Sequence, residues 1–274
     1  MTINCRGHLI DFKVPKVMGI LNVTPDSFYD GGKHNDLKAL LTQAEAMLTQ
    51  GATFLDVGGY SSRPGAEDID AKLEIKRVIP AVTALSQRFP DALISIDTFR
   101  SSVAKAALDA GACLVNDISA GQADPEMMAT VGAAGVPIIL MHMRGTPQTM
   151  LSMTQYDHLV LDVTKELAQR IAQARQHGIS DVIVDPGFGF AKTTAQNFTL
   201  LAELEHLEHL DVPILIGLSR KSMIYKTLKI NPEEALNGTT ALNTIGLRNG
   251  ASILRVHDVA QAQETISLMQ ALKN

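Results

Sequence analysis

One pattern repeats along this sequence and limits its fold more than any other feature. A short apolar run ends at a polar residue, a loop follows, and apolar residues then recur at helical spacing. The segment after residue 50 shows one such unit, with a strand over Thr53–Val57, a loop, and a helix that carries Leu73, Val78 and Leu85. Strands that alternate with helices in this way predict an α/β fold built on a parallel sheet.

Eight such units follow one another. The predicted strands are Val17–Leu21, Thr53–Val57, Leu93–Ile96, Leu114–Val115, Val136–Met141, Asp181–Asp185, Pro213–Gly217 and Ser252–Leu254. A helical segment follows each strand, and no linker, low-complexity stretch or change of composition divides the 274 residues. Eight strand–helix units in a chain of this length predict a closed (β/α)8 TIM barrel, formed as a single domain by residues 1–274.

Composition and charge exclude several classes of protein. The net charge is −5, so general binding to nucleic acid or to an anionic membrane is not expected. We expect no membrane span, because no run of about 18 apolar residues occurs, and no secretory signal, because the N-terminus lacks a basic region followed by an apolar one. Cys5 and Cys113 are too few for a disulfide framework and fit a reducing cytoplasm.

Polar residues lie at the carboxyl ends of many predicted strands. In a (β/α)8 barrel these ends and the loops after them form the face that carries the chemistry. The polar residues there are Asn22, Asp97, Asn116, Asp185, Arg255 and His257, with Arg63 and Lys221 in the loops. The fold should therefore bring together side chains that the sequence scatters.

These residues form two chemical groups. Asp97, Asn116 and Asp185 suit a flat heterocycle, because a carboxylate accepts from two adjacent N–H donors and an amide both donates and accepts. The cationic group predicts an anion-binding rim for a ligand such as pyrophosphate; its members are Arg63, Lys221, Arg255 and His257. Asn22 is a candidate oxygen ligand for Mg²⁺, which usually binds phosphates through few protein ligands.

Structural roles compete with these functional ones. Asp185 precedes Pro186 and a glycine-rich loop, so its side chain could simply cap the turn. Arg255 and His257 could form a surface ion pair and a packed histidine. We interpret His142 and Arg144 as loop anchors rather than catalysts. The loop after Asp185 lacks the GxGxxG spacing, so dinucleotide binding is not supported.

The ordered motifs of the chain resemble one known family, dihydropteroate synthase. From Met18 to Val259 they are MGILNVTPDSF, DVGGYSSRPGA, SIDT, NDISAG, MRGTPQTM, DPGFGFAKT, GLSRKS and RVHDV. The resemblance implies a barrel fold, a homodimer and a role in folate synthesis. It also implies a reaction in which 6-hydroxymethyl-7,8-dihydropterin diphosphate and 4-aminobenzoate give 7,8-dihydropteroate and pyrophosphate.

The same resemblance implies roles for individual residues. Those that match the family's pterin pocket are Asp97, Asn116, Asp185 and Lys221. Those that match its diphosphate site are Asn22, Arg63, Arg255 and His257, with Asn22 near Mg²⁺. Those that match its aminobenzoate pocket are Phe28, Ser62, Arg63, Pro64, Phe190, Lys221 and Ser222. The residues expected to act in catalysis are Asp97, Lys221, Arg63 and Asp185.

The chain departs from the family pattern mainly in its second loop. Tyr60 stands where an acidic residue is common, and Ser62 where threonine is common. This loop motivates one rival, a barrel that binds the pterin without condensing it. A second rival is a pterin-dependent methyltransferase, which would need no diphosphate site, so Arg63, Arg255 and His257 count against it. A phosphosugar enzyme has only the shared architecture in its favour.

Overall fold

The structure is a computed structural model that describes residues 1–23, 33–60 and 69–272. The strands in these ranges are β1 (Thr2–Cys5), β2 (His8–Asp11), β3 (Lys16–Asn22), β4 (Phe54–Gly58), β5 (Leu93–Asp97), β6 (Leu114–Asp117), β7 (Ile138–Met141), β8 (Val182–Asp185), β9 (Leu215–Ile216) and β10 (Ile253–Val256). The α-helices are α1 (Lys33–Thr49), α2 (Ala71–Arg88), α3 (Ser101–Ala110), α4 (Met127–Ala134), α5 (Leu159–Gln176), α6 (Thr194–Ala202), α7 (Ser222–Leu228), α8 (Leu236–Arg248) and α9 (Val259–Ala271).

Strands β3 to β10 form an eight-stranded parallel sheet that curves into a barrel. The strand order is β8-β7-β6-β5-β4-β3-β10-β9. The ring closes where Val184 of β8 forms a parallel bridge with Ile214, and the amide of Val184 donates to the carbonyl of Pro213 over 3.0 Å. Each predicted strand is present, so the structure confirms the (β/α)8 barrel.

The periodicities in the sequence account for both layers of the fold. Every residue of β4 is buried, because one face of this strand fills the barrel and the other packs under helices. Helix α2 buries Val78, Val82 and Leu85 on one face. It begins after Asp70, whose carboxylate accepts from the amide of Leu73 over 2.7 Å. No helix in the described ranges is long and apolar enough to cross a membrane.

The sequence pattern missed an N-terminal hairpin, β1–β2, which covers the amino end of the barrel. The two strands pair antiparallel, and the turn between them places Arg6 and Gly7 at positive φ. Ile3 and Cys5 pack against the first residues of the barrel strands, such as Phe54 of β4. The amide of Asn4 also donates to Asp181, just before β8, over 3.0 Å. The hairpin therefore covers the end of the barrel opposite the strand tips that carry the polar residues.

Candidate active site

A small cavity of about 30 Å³ lies at the carboxyl end of the barrel. Its lining consists of Asp97, Asn116, Ile118, Met141, Asp185, Phe190, Gly217, Lys221 and Arg255. These residues come from β5, β6, β7, β8 and β10 and from the loops after β6, β8 and β9. The barrel thus brings together six of the residues that the sequence analysis singled out, although they are scattered between positions 97 and 255.

Arg255 lies between two carboxylates at the floor of this cavity. Its Nε donates to Oδ2 of Asp56 over 2.6 Å, and its Nη2 donates to Oδ2 of Asp97 over 2.7 Å. Asp56 also accepts from the side-chain amide of Asn116 over 3.0 Å. The sequence predicts Arg255 on an anion-binding rim, whereas in the structure its guanidinium is paired with two protein carboxylates.

Asp56 is a member of the site that the sequence analysis missed. Its side chain is fully buried in the middle of β4, and its second oxygen, Oδ1, has no hydrogen-bond partner among the described residues. Asp56 does not lie at a strand end, but a charged residue within an apolar run is a signal of its own, because such a residue is almost never fully buried unless it is paired. Asp56 fixes both Arg255 and Asn116, so it sets the shape of the cavity floor.

Asp97 gains and loses its proton near neutral pH. Burial raises the pKa of Asp97 to about 7, with Arg255 acting in the opposite direction and Asp56, Glu74 and Asp117 raising it further. The neighbouring guanidinium therefore only partly offsets the cost of removing this carboxylate from water. A carboxyl group that gains and loses its proton near pH 7 suits a site that must bind N–H donors.

Asp185 both caps a turn and faces the cavity, so the two interpretations are compatible. Its Oδ1 accepts from the amide of Gly187 over 2.7 Å. Its Oδ2 lies on the Lys221 side of the cavity: a Cβ placed on Gly217 would be 4.0 Å from this oxygen and 3.7 Å from Nζ of Lys221. Burial raises the pKa of Asp185, whereas Lys221, the Gly187 amide and Arg255 oppose that rise.

Lys221 precedes α7 and reaches back toward the loop after β8. Its ammonium group donates to the carbonyl of Phe188 and lies 5.0 Å from the centre of the Phe190 ring. Burial lowers the pKa of Lys221 to about 8, although the carboxylate of Asp185 acts in the opposite direction. Lys221 thus presents a cation beside an aromatic face, next to a carboxylate.

Other predicted residues lie around this cavity without lining it in the described part of the chain. Asn22 ends β3 and is half-buried, and Ser222 begins α7. His257 follows β10, and its Nδ1 lies 2.9 Å from the hydroxyl oxygen of Ser219. Four further residues fall outside the described ranges; they are Phe28, Ser62, Arg63 and Pro64. The roles of these residues therefore stay predictions.

Asn22, at the end of β3, stays the predicted oxygen ligand for Mg²⁺. Within the described ranges, no group of three or more histidine, cysteine, aspartate or glutamate side chains is arranged to hold a metal ion. A ready-made protein cage is not needed for Mg²⁺, which keeps several waters and binds through one or two protein oxygens plus substrate phosphates. The side-chain amide oxygen of Asn22 suits that limited role.

Tyr60 is fixed by neighbours from two other loops, which follow β5 and β7. Its ring packs edge-on against Phe99, with centroids 5.0 Å apart, and its hydroxyl accepts from the side chain of Gln148 over 3.2 Å. The guanidinium of Arg100 lies 5.2 Å from the centre of the same ring. A tyrosine at this position is therefore held in an aromatic and cationic setting, which gives it a packing role at the base of the second loop.

Comparisons with known proteins agree with this geometry. Residues 18–257 match the family model described as pterin binding enzyme. The chain is 42% identical over 273 residues to the dihydropteroate synthase of Escherichia coli strain K12, which covers 99% of this chain and 96% of that protein.

Two solved structures are similar along their whole length. The dihydropteroate synthase of Yersinia pestis with a sulfonamide drug complex has a TM-score of 0.93 at 42% identity, covering 100% of this chain and 99% of that one. The dihydropteroate synthase of Xanthomonas albilineans with 4-aminobenzoic acid has a TM-score of 0.92 at 40% identity, covering 99% and 98%.

Proposed function

The chain belongs to the pterin-binding enzyme family and, within it, to the dihydropteroate synthases, and we propose that the cavity at the carboxyl end of its barrel is the active site. The reaction condenses 6-hydroxymethyl-7,8-dihydropterin diphosphate with 4-aminobenzoate to give 7,8-dihydropteroate and pyrophosphate in folate synthesis. The chain is therefore a transferase with small-molecule substrates. One observation carries our proposal for the site: Asp97, Asn116, Asp185 and Lys221 converge on one cavity.

In this proposal the pterin ring lies deepest in the cavity. The carboxylates of Asp97 and Asp185 accept from its N–H groups, the side chain of Asn116 donates and accepts beside them, and Lys221 donates to a ring acceptor. Burial raises the pKa of Asp97 and Asp185 although Arg255 and the Gly187 amide already donate to them, and further N–H donors from a pterin would favour their charged forms.

The diphosphate would bind beside the pterin, at Asn22, Arg63, Arg255 and His257. Arg255 reaches the same cavity as Asp185, so a substrate held by both would place its diphosphate beside β10. Asn22 would hold Mg²⁺, which neutralises part of the diphosphate charge when it is bound. His257 would orient this end of the substrate through the ring that Ser219 holds.

The aminobenzoate would bind beside the loops after β3, β4, β8 and β9, at Phe28, Ser62, Arg63, Pro64, Phe190, Lys221 and Ser222. The ring of Phe190 supports this placement, since it lies against Lys221 at the wall of the pterin cavity. The carboxylate of 4-aminobenzoate would face the cationic side chains and the first turn of α7, where backbone amides carry partial positive charge.

The chemistry follows from the charges around the cavity. Departure of diphosphate leaves a methylene cation that is delocalised into the dihydropterin, and buried carboxylates stabilise positive charge more than they stabilise the neutral ground state. The cationic residues Arg63, Lys221 and Arg255 stabilise the leaving group. An arylamine is uncharged at neutral pH, so it attacks without a strong base. No covalent bond to the enzyme forms on this route.

We also propose that the protein is a cytoplasmic homodimer. Leu228 of α7 and Ile245 of α8 are exposed apolar side chains on two helices that contact each other, which supports an interface there. Cys5 and Cys113 are buried free thiols in the same apolar cluster, which supports a reducing compartment. Sedimentation measurements on the purified protein would test the dimer, and a monomer at micromolar concentration would contradict it.

The direct test combines purified protein, Mg²⁺ and the dihydropterin diphosphate, with and without 4-aminobenzoate, and follows pyrophosphate and the mass of dihydropteroate. We expect both products to depend on 4-aminobenzoate and to be lost in Asp185→Asn. The matched control is Asp181→Asn, just before the amino end of β8, where the carboxylate bonds only to the hairpin in the described structure. Tight binding of the dihydropterin diphosphate without products would instead favour the non-catalytic pterin-binding barrel.

A further inference from the structure

A buried lysine lies within the loop that joins β8 to α6. Lys192 is only 6% exposed, and its ammonium group has three acceptors. These are Nδ1 of His142 at 2.9 Å, the carbonyl of Gly187 at 3.1 Å and the carbonyl of Phe190 at 3.1 Å. An ammonium group has three N–H bonds, so each proton of Lys192 has a partner.

The contact with Lys192 fixes the protonation of His142. Because Nδ1 accepts from the ammonium group, the ring proton is on Nε2, which lies 3.0 Å from a carboxylate oxygen of Glu166 on α5. Burial lowers the pKa of His142 to about 4, which keeps the ring neutral near pH 7. Arg144 donates to the other oxygen of Glu166 over 3.0 Å. A continuous chain of polar groups therefore runs from the loop to helix α5.

The two carbonyl groups that Lys192 holds belong to the loop that shapes the cavity. The amide of Gly187 donates to Asp185, and the amide of Phe190 donates back to the carbonyl of Gly187 over 3.1 Å. The ring of Phe190 lines the cavity next to Lys221. Lys192 thus holds both ends of the short turn that orients Asp185 and Phe190, without lining the cavity itself.

We propose that Lys192, fixed by His142 and Glu166, is a positioning residue for the pterin: it holds the turn over residues 187–190 so that Asp185 and Phe190 meet the ring. This inference rests on the proposed function of the same cavity. Glu166 acts on the turn indirectly: its carboxylate fixes the imidazole of His142, which in turn fixes the ammonium group of Lys192.

The charges around Lys192 are consistent with this role. Burial lowers the pKa of Lys192 to about 7, Asp185 and Glu166 raise it, and Lys221 and Arg144 lower it. The ammonium form, which makes all three contacts, therefore depends on the two carboxylates. Removing the charge of Glu166 weakens the hold on the turn, although Glu166 lies on α5 and does not line the cavity.

Two variants test the proposal. Lys192→Met leaves an unbranched side chain one atom shorter and removes the three N–H donors. Glu166→Gln keeps the shape of the glutamate side chain and removes its charge. The matched controls are Lys165→Met, on an exposed neighbour in α5, and Glu264→Gln, on an exposed residue of α9. Thermal unfolding of each variant identifies those that fold, so that kinetics are compared only among folded proteins.

The readout is steady-state kinetics together with calorimetric titration of 6-hydroxymethyl-7,8-dihydropterin diphosphate. We expect Lys192→Met to raise the KM and Kd for this ligand about tenfold or more, Glu166→Gln to raise them about threefold, and kcat to fall less than threefold in both. In the double variant the two effects should be less than additive, because both act through one chain of contacts.

Three results would overturn the proposal: unchanged KM and Kd in folded Lys192→Met, a fall in kcat alone, or full additivity of the two changes. A purely structural role of Lys192 predicts lower thermal stability with an unchanged Kd. If the wild-type protein forms no dihydropteroate, the proposed function fails, whereas the calorimetric titration still tests the role of Lys192 in binding.

Discussion

Asp56 and Arg255 are 199 positions apart in the chain, yet they are joined by a hydrogen-bonded ion pair of 2.6 Å inside the barrel. Their strands lie on either side of β3, where Ile20 pairs with Asp56 and Met18 pairs with Arg255. The side chain of Arg255 extends past β3 inside the barrel to reach both Asp56 and Asp97. One guanidinium therefore links three strands at the cavity floor.

Breaking this pair should destabilise the protein. In Asp56→Asn the buried guanidinium of Arg255 loses one of its two carboxylates, and breaking a buried ion pair costs about 3–5 kcal/mol. We expect the free energy of unfolding in urea to fall by an amount near the lower end of that range, because Asp97 remains, and the affinity for the dihydropterin diphosphate to fall as well. Asp109→Asn, at an exposed pair with Lys105, is the control and should change stability by less than about 1 kcal/mol. Equal effects of the two variants would contradict the assignment.

The raised pKa of Asp97 predicts the pH dependence of both stability and binding. The folded protein holds this proton up to about pH 7, whereas an unfolded chain loses it near the ordinary value of 3.8. Asp97 therefore favours folding fully below about pH 4, and this contribution is lost as the pH rises toward 7. When the free energy of unfolding is measured from pH 4 to pH 8, its fall with rising pH should be smaller in Asp97→Asn than in the wild type.

Binding should respond to pH in the opposite direction. The carboxylate form of Asp97 accepts N–H donors, so the affinity for the dihydropterin diphosphate should weaken as the pH falls below 7. The ligand's own phosphates also titrate. Asp97→Asn lacks the carboxyl group, so the pH dependence of its Kd measures the contribution of those phosphates. Parallel pH profiles of Kd in the wild type and in Asp97→Asn would show that Asp97 does not titrate in this range.

Two glycines in one loop should differ sharply on substitution. Gly187 and Gly189 both have positive φ, at 71° and 82°. A Cβ on Gly187 would overlap the backbone carbonyl of His142, whereas one on Gly189 would only touch Cδ of Lys221 at 3.5 Å. Gly189→Ala should cost about 1–2 kcal/mol for its left-handed backbone. Gly187→Ala should cost more and weaken pterin binding, because the amide of Gly187 orients Asp185; chemical unfolding of both variants checks this order.

The hairpin at the amino end should contribute to stability but not to chemistry. Ile3 is 1% exposed where the hairpin covers the amino end of the barrel, whereas Leu9 on the same hairpin is 71% exposed. Ile3→Ala should therefore lower the free energy of unfolding by about 2–5 kcal/mol, and Leu9→Ala by less than about 0.5 kcal/mol. Both should keep the wild-type KM for each substrate, and a raised KM in Ile3→Ala would show that the two ends of the barrel are coupled.

The sequence predicted those parts of the molecule that depend on local pattern. Strand–helix periodicity located the barrel strands, and strand ends located Asp97, Asn116 and Asp185. The hairpin escaped prediction because its strands have only four residues each and because burial in β2 does not follow hydrophobicity, since Leu9 is exposed.

Asp56, Lys192 and the pairing of Arg255 depend on contacts between distant parts of the chain. Asp56 lies within a strand, where polarity alone does not reveal a partner 199 positions away. Lys192 folds back under its own loop, and a sequence does not show the direction of a long side chain. For the same reason the sequence located Arg255 at the site but not the carboxylates that hold it.

The closure of the barrel gives the substrate a second effect. Among the described residues, β8 and β9 are joined by the single bridge between Val184 and Ile214, whereas the other neighbouring strands share two or more paired residues. Asp185 follows Val184 directly, and Lys221 lies a short loop beyond β9. A ligand held by both side chains spans this joint. A substrate bound by Asp185 and Lys221 would therefore link β8 to β9 where the barrel has its fewest paired residues, and would stabilise the closed barrel as well as react in it.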